Sequence, residues 1–475
     1  MDRESHDKDV VVTRPSDLDG GIEALKAYVA KIKSGEKGFD FRVAERRIRV
    51  LASAIECAAT AAALEVCEPA AEVVEFDGRR YKRLAEASEV TYFGMAGGLR
   101  VSRHLYREVG VRNGPTIVPM ELNAGIVEGL MTPEAAQADA YLAQALPSRE
   151  AKETARRLGV LPASRTSMAR VGNAMGQRWE AKRLEAEDHL MNTFEVPQES
   201  VSVSVSVDRV SVPMEEPRKR RPGRPRKNAP KRPVEVVYHM AYCAVLTLHD
   251  DEGKPLYSIR YGRMPGSSAS RQIESAAAGD LAAILGQRPD LRVVTLADGA
   301  PEMQNILDRI TRGWPVDARL IDFWHLVEKL APAITATGHD VDRKLERWKK
   351  KLKKRDTAIR QIEVELGTWA LDYDEDEMPD GLYNAITYIE NNRDRMRYAS
   401  ARAAHFPIGS GQVEATCKTI VTTRMKRCGA RWKHNGGQAV MHFRSLATSS
   451  RWDCAMDFLL ETYRQPPAEV SADAA

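Results

Sequence analysis

Three acidic residues, far apart along the chain, have the types and settings of metal-binding carboxylates. Glu414 lies in PIGSGQVEATCK (407–418), where a Gly-Ser loop opens a helix that carries the acid on its first turns. Asp208 lies in a strand-like run and Asp298 ends another. Carboxylate oxygens are the ligands that Mg²⁺ prefers, and two such ions about 3.5–4 Å apart promote phosphodiester cleavage. The sequence predicts a DNA-cutting site that holds two Mg²⁺ ions, with Mn²⁺ expected to substitute.

Each acid also has an alternative, structural explanation. Asp298 precedes Pro301 and can cap the helix that starts there, while Asp208 can be an exposed strand residue. Asp250 and Asp251 are rival acids, but they lie in the turn HDDEG and are expected to be solvated. The order of strands and helices around the three acids favours the metal-site hypothesis.

A second pair of candidate residues occurs in IDFWH, where Asp322 and His325 lie at a strand-to-helix junction. Helical spacing of three residues places both on one side, near the carboxyl end of the strand. They form either part of a metal site or, more simply, a helix-capping aspartate beside a packed histidine.

The elements that must position these residues follow from apolar periodicity. The run VSVSVSVDRVSVPM (201–214) alternates as a strand does. Its apolar phase reverses near Asp208, which predicts either a late strand start or a bulge. Two further strand-like runs follow, and then helix, strand, helix and strand up to residue 330. Three antiparallel strands with this continuation are typical of a ribonuclease H-like α/β core over residues 196–330.

Residues 331–395 interrupt this core and are predicted to be helical. Their basic segment RKLERWKKKLKKR (343–355) has a packing stripe of Leu345, Trp348 and Leu352. Its lysines form either a solvated face or a phosphate-binding surface. The core is expected to resume over residues 396–460, which contain the Glu414 helix, and a tail follows over residues 461–475. The candidate DNA contacts here are Lys349, Lys350, Lys353, Lys418 and Arg424.

The N-terminal part is predicted to be mainly helical, with a disordered tail (1–20), an α+β module (21–130) and a helix pair (131–195). In that pair, Gly159 ends the first helix, and the second has a buried stripe and a basic exterior that includes Arg165 and Arg170. These helices fit a helix-turn-helix that reads the DNA major groove. An ordinary helix pair with a basic surface is the alternative.

A basic segment lies within a predicted hairpin over residues 215–233. RKRRPGRPRKNAPKR (218–232) has nine Lys or Arg residues and no acid. Its centre, with Arg221, Arg224, Arg226 and Lys227, resembles an AT-hook, which binds the narrow minor groove of A·T-rich DNA. A loop that contacts phosphates without sequence preference is the alternative.

Composition limits the other classes. A net charge of +4 would not by itself indicate a nucleic-acid-binding protein, whereas the clustering of basic residues does. The six cysteines include no Cys-x-x-Cys pair, which argues against structural zinc and suits a reducing cytosol. The sequence has no apolar run that could span a bilayer and no N-terminal secretion signal.

The chain resembles the bacterial insertion-sequence transposases of the ISKra type, DDE enzymes related to the Mutator-like group. Two long segments carry most of the resemblance, YFGMAGGLRVSRHLYREVGVRNGPTIVPMEL and ENNRDRMRYASARAAHFPIGSGQVEATCK, the latter followed by RMKRCGARW. Shorter matches are VDRVSVPMEEP, MAYCAVLTLHDDEG with IRYGRMP, LADGAP and DFWH.

The resemblance implies a DDE triad at Asp208, Asp298 and Glu414. Asp322 and His325 match the Asp-x-x-His signature of this group, which implies active-site support. The resemblance also implies a helical insertion before the glutamate, recognition of terminal inverted repeats by the N-terminal region, and Mg²⁺-dependent cleavage and strand transfer.

The expected partner is double-stranded DNA, both transposon ends and target, bound by a homodimer or higher oligomer in the bacterial cytoplasm, in association with the nucleoid. Two other functions stay open. One is a non-catalytic DNA-binding protein, either a decayed transposase or a repressor. The other is a ribonuclease H-like structure-specific nuclease such as a junction resolvase.

Overall fold

A computed structural model describes residues 11–35, 39–216, 235–374 and 376–470 of the chain. The structure is of the mixed α/β class and divides into two compact units. We call the described residues of Met1–Ala186 and Asp453–Ala475 the terminal unit, and those of Glu187–Trp452 the central unit. The predicted α/β class is confirmed.

Two sheets and a large set of helices make up these units. The strands are β1 (Val12–Thr13), β2 (Val73–Phe76), β3 (Arg79–Phe93), β4 (Gly98–Glu108), β5 (Thr116–Ile117), β6 (Ser202–Glu215), β7 (Val236–His249), β8 (Pro255–Arg263), β9 (Arg292–Ala297), β10 (Ala318–Ile321) and β11 (Ala468–Val470). The helices are α1 (Leu18–Lys33), α2 (Phe41–Glu65), α3 (Pro119–Ala124), α4 (Pro133–Ala145), α5 (Ser148–Leu158), α6 (Arg165–Ala181), α7 (Arg183–Thr193), α8 (Ala269–Gln287), α9 (Pro301–Ile310), α10 (Phe323–Ala336), α11 (Val341–Leu352), α12 (Ala358–Ala370), α13 (Asp380–Asn392), α14 (Tyr398–Ala403), α15 (Gly411–Thr416), α16 (Thr423–Met425), α17 (His434–Thr448) and α18 (Trp452–Glu461). Within the described ranges, no helix combines the length and the apolar character needed to cross a membrane.

The sheet of the terminal unit has the order β1-β4-β3-β2-β11, with β5 paired to β4. Asp77 and Gly78 have positive φ angles of 51° and 70° and connect β2 to β3 as a tight hairpin turn. Helix α2 covers this sheet through Cys57 and Ala61, which pack with Leu99 of β4. The α+β character expected for this region therefore arises from a helix-covered mixed sheet, built around the antiparallel strands β2, β3 and β4.

Both predicted tails contain a short strand, which corrects the disorder predicted for residues 1–20. Within the predicted tail 1–20, β1 pairs with β4 and α1 begins at Leu18. Within the predicted tail 461–475, β11 pairs with β2. Both strands have only two or three residues, and backbone hydrogen bonds to a distant strand hold them. A segment that short has no periodicity that would reveal the pairing.

The helix pair of the terminal unit consists of α5 and α6. The predicted stripe of α6 is buried, namely Met168, Val171, Met175 and Trp179. Residues 159–164 connect the helices, which is longer than the three- or four-residue turn of a helix-turn-helix. Arg165 is exposed, and the guanidinium of Arg170 donates to the Glu128 carbonyl oxygen at 3.0 Å. DNA reading by α6 stays a prediction.

The sheet of the central unit has the order β10-β9-β6-β7-β8. Strands β6, β7 and β8 are antiparallel neighbours, whereas β9 and β10 run parallel to β6. The predicted alternation of helices and strands after β8 matches α8, β9, α9 and β10. Helices α8 and α9 cover one face of the sheet, where Val203, Val205 and Val207 of β6 are buried.

The change of apolar phase in β6 has a different cause from the two that the sequence predicted. The strand pairs with β7 from Ser202 to Glu215 without a register shift, so it contains neither a late start nor a bulge there. Val212 is buried on the opposite face against Cys417 and Met441. At the start of β6, α8 and α9 cover one face of the sheet. Towards its end, the π-helix Cys417–Thr422 and α17 cover the other face. The apolar residues of the strand change faces for this reason.

Helices α10 to α13 form their own apolar core next to this sheet. Trp348 and Leu352 of α11 are fully buried, which confirms the predicted packing stripe. They pack with Leu326 and Leu330 of α10 and with Leu382 of α13. The basic helix α11 is thereby fixed to the helix that begins at the IDFWH motif.

A buried carboxyl group occurs in the terminal unit at Asp139 of α4. Asp139 is 1% exposed, and among the described residues no side chain or backbone group makes a close hydrogen bond to its Oδ2. Gly172 of α6 lies against it. Burial raises the pKa of Asp139 from the ordinary 3.8 to about 8. The folded protein therefore holds this carboxyl in its neutral form at neutral pH.

This burial predicts that the terminal unit loses stability as pH rises. Unfolded chains release the Asp139 proton near 3.8, whereas the folded chain keeps it up to about pH 8. Between these values the free energy of unfolding falls by about 1.4 kcal/mol for each pH unit through this group. We expect Asp139→Asn to remove this slope in urea unfolding measured from pH 4 to pH 8, whereas the exposed control Asp19→Asn keeps it. Equal slopes for the two variants would contradict the assignment.

Candidate active site

Three aspartates lie on neighbouring strands of the central sheet or directly after them: Asp208 within β6, Asp298 after β9 and Asp322 after β10. Strands β6 and β9 pair as far as Ser206 and Leu296. The same parallel register, continued by two residues, places Asp208 opposite Asp298. Strands β9 and β10 pair as far as Ala297 and Ile321. Their register, continued by one residue, places Asp322 opposite Asp298 as well. Neighbouring strands lie about 4.8 Å apart, and residues in register point to the same face. The three carboxylates therefore extend from one row of the sheet.

Asp208 lies at the half-buried end of this row. Its Oδ1 accepts from the Arg209 backbone N–H at 2.6 Å, and the Cys417 thiol lies 3.6 Å from its Oδ2. Burial raises the pKa of Asp208, and the negative charge of Asp298 raises it further, while His325 opposes these shifts. Asp208 is thus close enough to Asp298 and to His325 for their charges to interact.

Asp298 occupies the turn between β9 and α9. Its Oδ1 accepts from the Ala300 backbone N–H at 2.9 Å, so the helix-start role that the sequence left open is realised in part. Gly299 has a φ of +93°, and a Cβ there would lie 3.0 Å from the Tyr388 ring. The Tyr388 hydroxyl donates to the Asp298 carbonyl oxygen at 2.7 Å. Helix α13 thereby fixes the turn that presents this carboxylate.

Asp322 is fully buried and accepts backbone hydrogen bonds from two different segments. Its Oδ1 accepts from Trp324 N at 2.7 Å and from His325 N at 2.8 Å, which caps the N-terminus of α10. Its Oδ2 accepts from the Ser410 N–H in the loop before α15. This one carboxylate joins β10, α10 and the Gly-Ser loop.

Glu414 extends from α15 towards the same place. One ligand atom each of Asp322, His325 and Glu414 lies within 4.8 Å of the others. Glu414 is exposed and His325 is half-buried. Directly after α15 the helix continues as a π-helix, Cys417–Thr422, a feature that is common at functional sites.

The donor atoms decide which cations these residues fit. Asp208 and Asp298 offer carboxylate oxygens, which suit Mg²⁺ or Mn²⁺. The group of Asp322, His325 and Glu414 adds an imidazole nitrogen and suits Mn²⁺ or Zn²⁺ better than Mg²⁺. Among the described residues, the ligand atoms of this group lie within 4.8 Å of one another, and neither Asp208 nor Asp298 belongs to the group. The register places Asp208 opposite Asp298, while Glu414 of α15 groups with Asp322 and His325. The three members of the predicted triad thus do not form one tight group of ligand atoms among the described residues.

The residues predicted to contact DNA in the central unit lie on different surfaces. Lys349 and Lys353 extend their ammonium groups to 5.9 and 5.5 Å from the Trp324 ring centroid. Trp324, next to His325, is 51% exposed. Lys350 instead lines a basic groove on α11. Lys418 is exposed one helical turn after Glu414.

Arg424 is a correction to the sequence analysis. Its side chain is only 8% exposed, and the guanidinium lies 4.9 Å from the Trp432 ring centroid. The predicted contact with DNA is contradicted, because a buried cation stacked on an indole does not face a phosphate. The AT-hook-like residues lie outside the described residues, namely Arg221, Arg224, Arg226 and Lys227.

Sequence reasoning missed three residues of this site. Ser410 acts through its backbone N–H, so its side chain gives no signal. Tyr388 lies 90 residues after the turn that it supports, with no motif around it. Trp324 was visible inside the DFWH motif, as a large apolar residue beside a candidate ligand.

No protein-family model matches this chain, and no curated protein matches it. Among solved structures, the chain is similar to a chain of the Drosophila P element transposase strand transfer complex. The two sequences are 11% identical, and the similarity covers 70% of this chain and 81% of that chain with a TM-score of 0.24. A TM-score this low supports no conclusion about fold or function. Membership of the ISKra-type transposases stays a prediction.

The bonding of Asp322 predicts an unusually large loss of stability on its removal. Asp322→Ala leaves three backbone N–H groups without their acceptor, and we expect the free energy of unfolding to fall by about 3–5 kcal/mol. Asp340, the exposed cap of α11, accepts one such bond, so Asp340→Ala is expected to cost about 1 kcal/mol. Urea unfolding followed by tryptophan fluorescence compares the two. An equal loss would show that the Ser410 contact contributes nothing.

Proposed function

We propose that the central unit is the catalytic unit of a DDE-type DNA transposase with a ribonuclease H-like core. Asp208, Asp298 and Glu414 would hold two divalent ions, Mg²⁺ or Mn²⁺. The observation that carries the proposal is the register that places Asp208, within β6, in one row with Asp298 and Asp322, which directly follow β9 and β10. Glu414 approaches Asp322 and His325 from a later helix. The sheet order and the sequence of elements support such a core.

The electrostatics of the row favour a bound cation. Burial raises the pKa of the half-buried Asp208, and repulsion from the charge of Asp298 adds to this shift. A divalent ion between them would remove this repulsion. Such ions, when bound, activate the attacking oxygen and stabilise the leaving oxygen of a phosphodiester.

Asp322 and His325 have supporting roles in this proposal. Asp322 already accepts three backbone hydrogen bonds, so it positions the site by holding the Gly-Ser loop against α10. That contact sets where α15 begins and hence where Glu414 points. His325 lies close to Glu414, and its charge lowers the pKa of Asp208, so it can orient a ligand of the bound ion.

DNA is the substrate that the surroundings of this edge fit best. Lys349 and Lys353 place two positive charges beside the exposed ring of Trp324, next to the acids. Cations near a cluster of carboxylates are suited to a phosphate backbone, and an exposed indole can stack on a base. A polynucleotide would therefore meet both charge and stacking partners at the site.

The remaining parts of the proposal rest on the resemblance to ISKra-type transposases. They are recognition of terminal inverted repeats by the terminal unit, strand transfer into target DNA, and assembly as a dimer or larger oligomer. The exposed Arg165 on α6 is the first residue to test for end recognition.

The catalytic proposal predicts separate effects on cleavage and on binding. Asp298→Asn and Glu414→Gln are each expected to lower Mg²⁺- or Mn²⁺-dependent nicking of a labelled element-end DNA by at least about a thousandfold, a loss typical of removing a transition-state interaction. Retardation of the same DNA should persist. Asp251→Asn in the β7–β8 turn is the matched control and should cleave normally.

The same experiment separates the rival functions. Normal nicking by Asp298→Asn or Glu414→Gln would refute the metal-site assignment. Retardation without nicking by the unaltered protein would favour a non-catalytic DNA-binding protein. Cleavage that depends on branched DNA rather than on element ends would favour a junction-cutting nuclease.

The lysines beside Trp324 predict a change in salt dependence. Each phosphate contact contributes about 0.9 to the slope of log affinity against log salt concentration. We expect Lys349→Gln combined with Lys353→Gln to reduce the slope by about 2, measured by anisotropy with duplex DNA. Lys254→Gln, an exposed change in the β7–β8 turn, should leave the slope unchanged. An unchanged slope in the double variant would place the DNA elsewhere.

A further inference from the structure

A large polar cleft opens beside the acids of the central unit. It has a volume of about 1040 Å³ and is walled by α9, α10 and α13, with Arg319 of β10 at its side. Its lining includes Gly299, the residue after Asp298, and His325, which also belongs to the group with Asp322 and Glu414. The cleft therefore opens next to the candidate ligands.

Each helix contributes one polar stripe to this cleft. Helix α9 presents Gln304, Asn305 and Asp308, at the spacing of one helical face. Helix α13 presents Asn384 and Asn391 on either side of Tyr388. A third stripe on α10 runs from His325 through Lys329 to Pro332.

Close packing fixes the end of the cleft that lies between α10 and α13. A Cβ on Gly381 would lie 2.8 Å from the Pro332 carbonyl oxygen, so α13 begins in direct backbone contact with α10. The Tyr388 hydroxyl bonds to the turn at Asp298 and ties the middle of α13 to the sheet. The cleft walls are therefore held by the same contacts that hold the acids.

Uncharged amides distinguish the cleft from the basic surfaces of this unit. Side-chain amides supply both donors and acceptors, the complement of nucleobase edges. Asn and Gln pair with adenine through two hydrogen bonds. The charged lining is nearly balanced, since three basic residues (Arg319, Lys329, Arg395) face two acidic ones (Asp308, Glu328). Phosphate attraction alone would call for lysine and arginine, as on α11.

The shape of the cleft selects unpaired nucleotides. A protein reads the base edges of duplex DNA by inserting a protruding helix or ribbon into a groove. A concave site cannot do this, whereas unstacked bases can leave their strand and enter such a site.

We propose that this amide-lined cleft binds the unpaired bases of a DNA strand next to the phosphate that is cleaved. The inference deepens the proposed function, on which it rests for the position of that phosphate. Asn384 and Asn391 are its base-contacting residues on α13, and Asn305 is its base-contacting residue on α9.

The test measures binding without cleavage. Anisotropy of the full-length protein in EDTA compares a labelled single-stranded oligodeoxyadenylate with an abasic strand of equal length and charge. We expect the protein to bind the base-bearing strand about tenfold more tightly, since one good amide–base pair discriminates by that order. The ratio should fall to near one for Asn384→Ala combined with Asn391→Ala.

Matched variants keep this test decisive. Asn435→Ala changes the same residue type on the exposed start of α17, outside the cleft, and should keep the ratio. Asn305→Ala on α9 should lower the ratio by itself, which provides a second variant if the change on α13 impairs folding. A tenfold ratio that survives in both cleft variants, or its absence from the unaltered protein, would overturn the proposal.

The outcome is independent of the catalytic test. Nicking by Asp298→Asn would refute the metal-site assignment and leave the base-binding result in place. The preference for the base-bearing strand can instead survive in the cleft variants and be lost in Trp324→Ala. That result would show that the bases contact the indole of Trp324 and would overturn the cleft assignment. It would not affect the catalytic proposal.

Discussion

The buried carboxylate of Asp322 is the interaction on which the candidate site depends. It accepts backbone hydrogen bonds from Trp324, His325 and Ser410, and it is fully withdrawn from water. An unpaired carboxylate at such depth would be strongly destabilising, whereas three donors satisfy it. The bonds tie the end of β10 to the start of α10 and to the loop before α15. The positions of His325 and Glu414 therefore follow from one burial constraint.

A second support comes from the helices between β10 and α15. They have their own apolar core around Trp348, and α13 returns to the sheet so that Tyr388 bonds to the turn of Asp298. Removal of these helices would take away Tyr388, which donates a hydrogen bond to this turn and packs against Gly299. The segment is thus part of the site's framework as well as a separate packing unit.

Different chemistries surround the row of aspartates. Carboxylates and one imidazole form the candidate metal site. Amides line the cleft of α9, α10 and α13, and Lys349 and Lys353 lie beside Trp324. In the proposed function these groups would have separate tasks, because cation binding, base contact and phosphate contact favour different side chains. The helix start at Asp322–His325 is the point where these surfaces meet.

Local patterns in the sequence determined the elements and the chemical types. Alternation and helical periodicity gave β6 to β10 and their order, and motif context selected Asp208, Asp298, Asp322, His325 and Glu414. Tertiary structure alone decided which of these share a tight group of ligand atoms, that Arg424 is buried on Trp432, and that apolar residues of β6 change faces without a bulge. It also decided the supporting contacts of Ser410 and Tyr388. The physical reason is that periodicity reports which side of an element is apolar, whereas burial and long-range backbone hydrogen bonds depend on which other element covers that side.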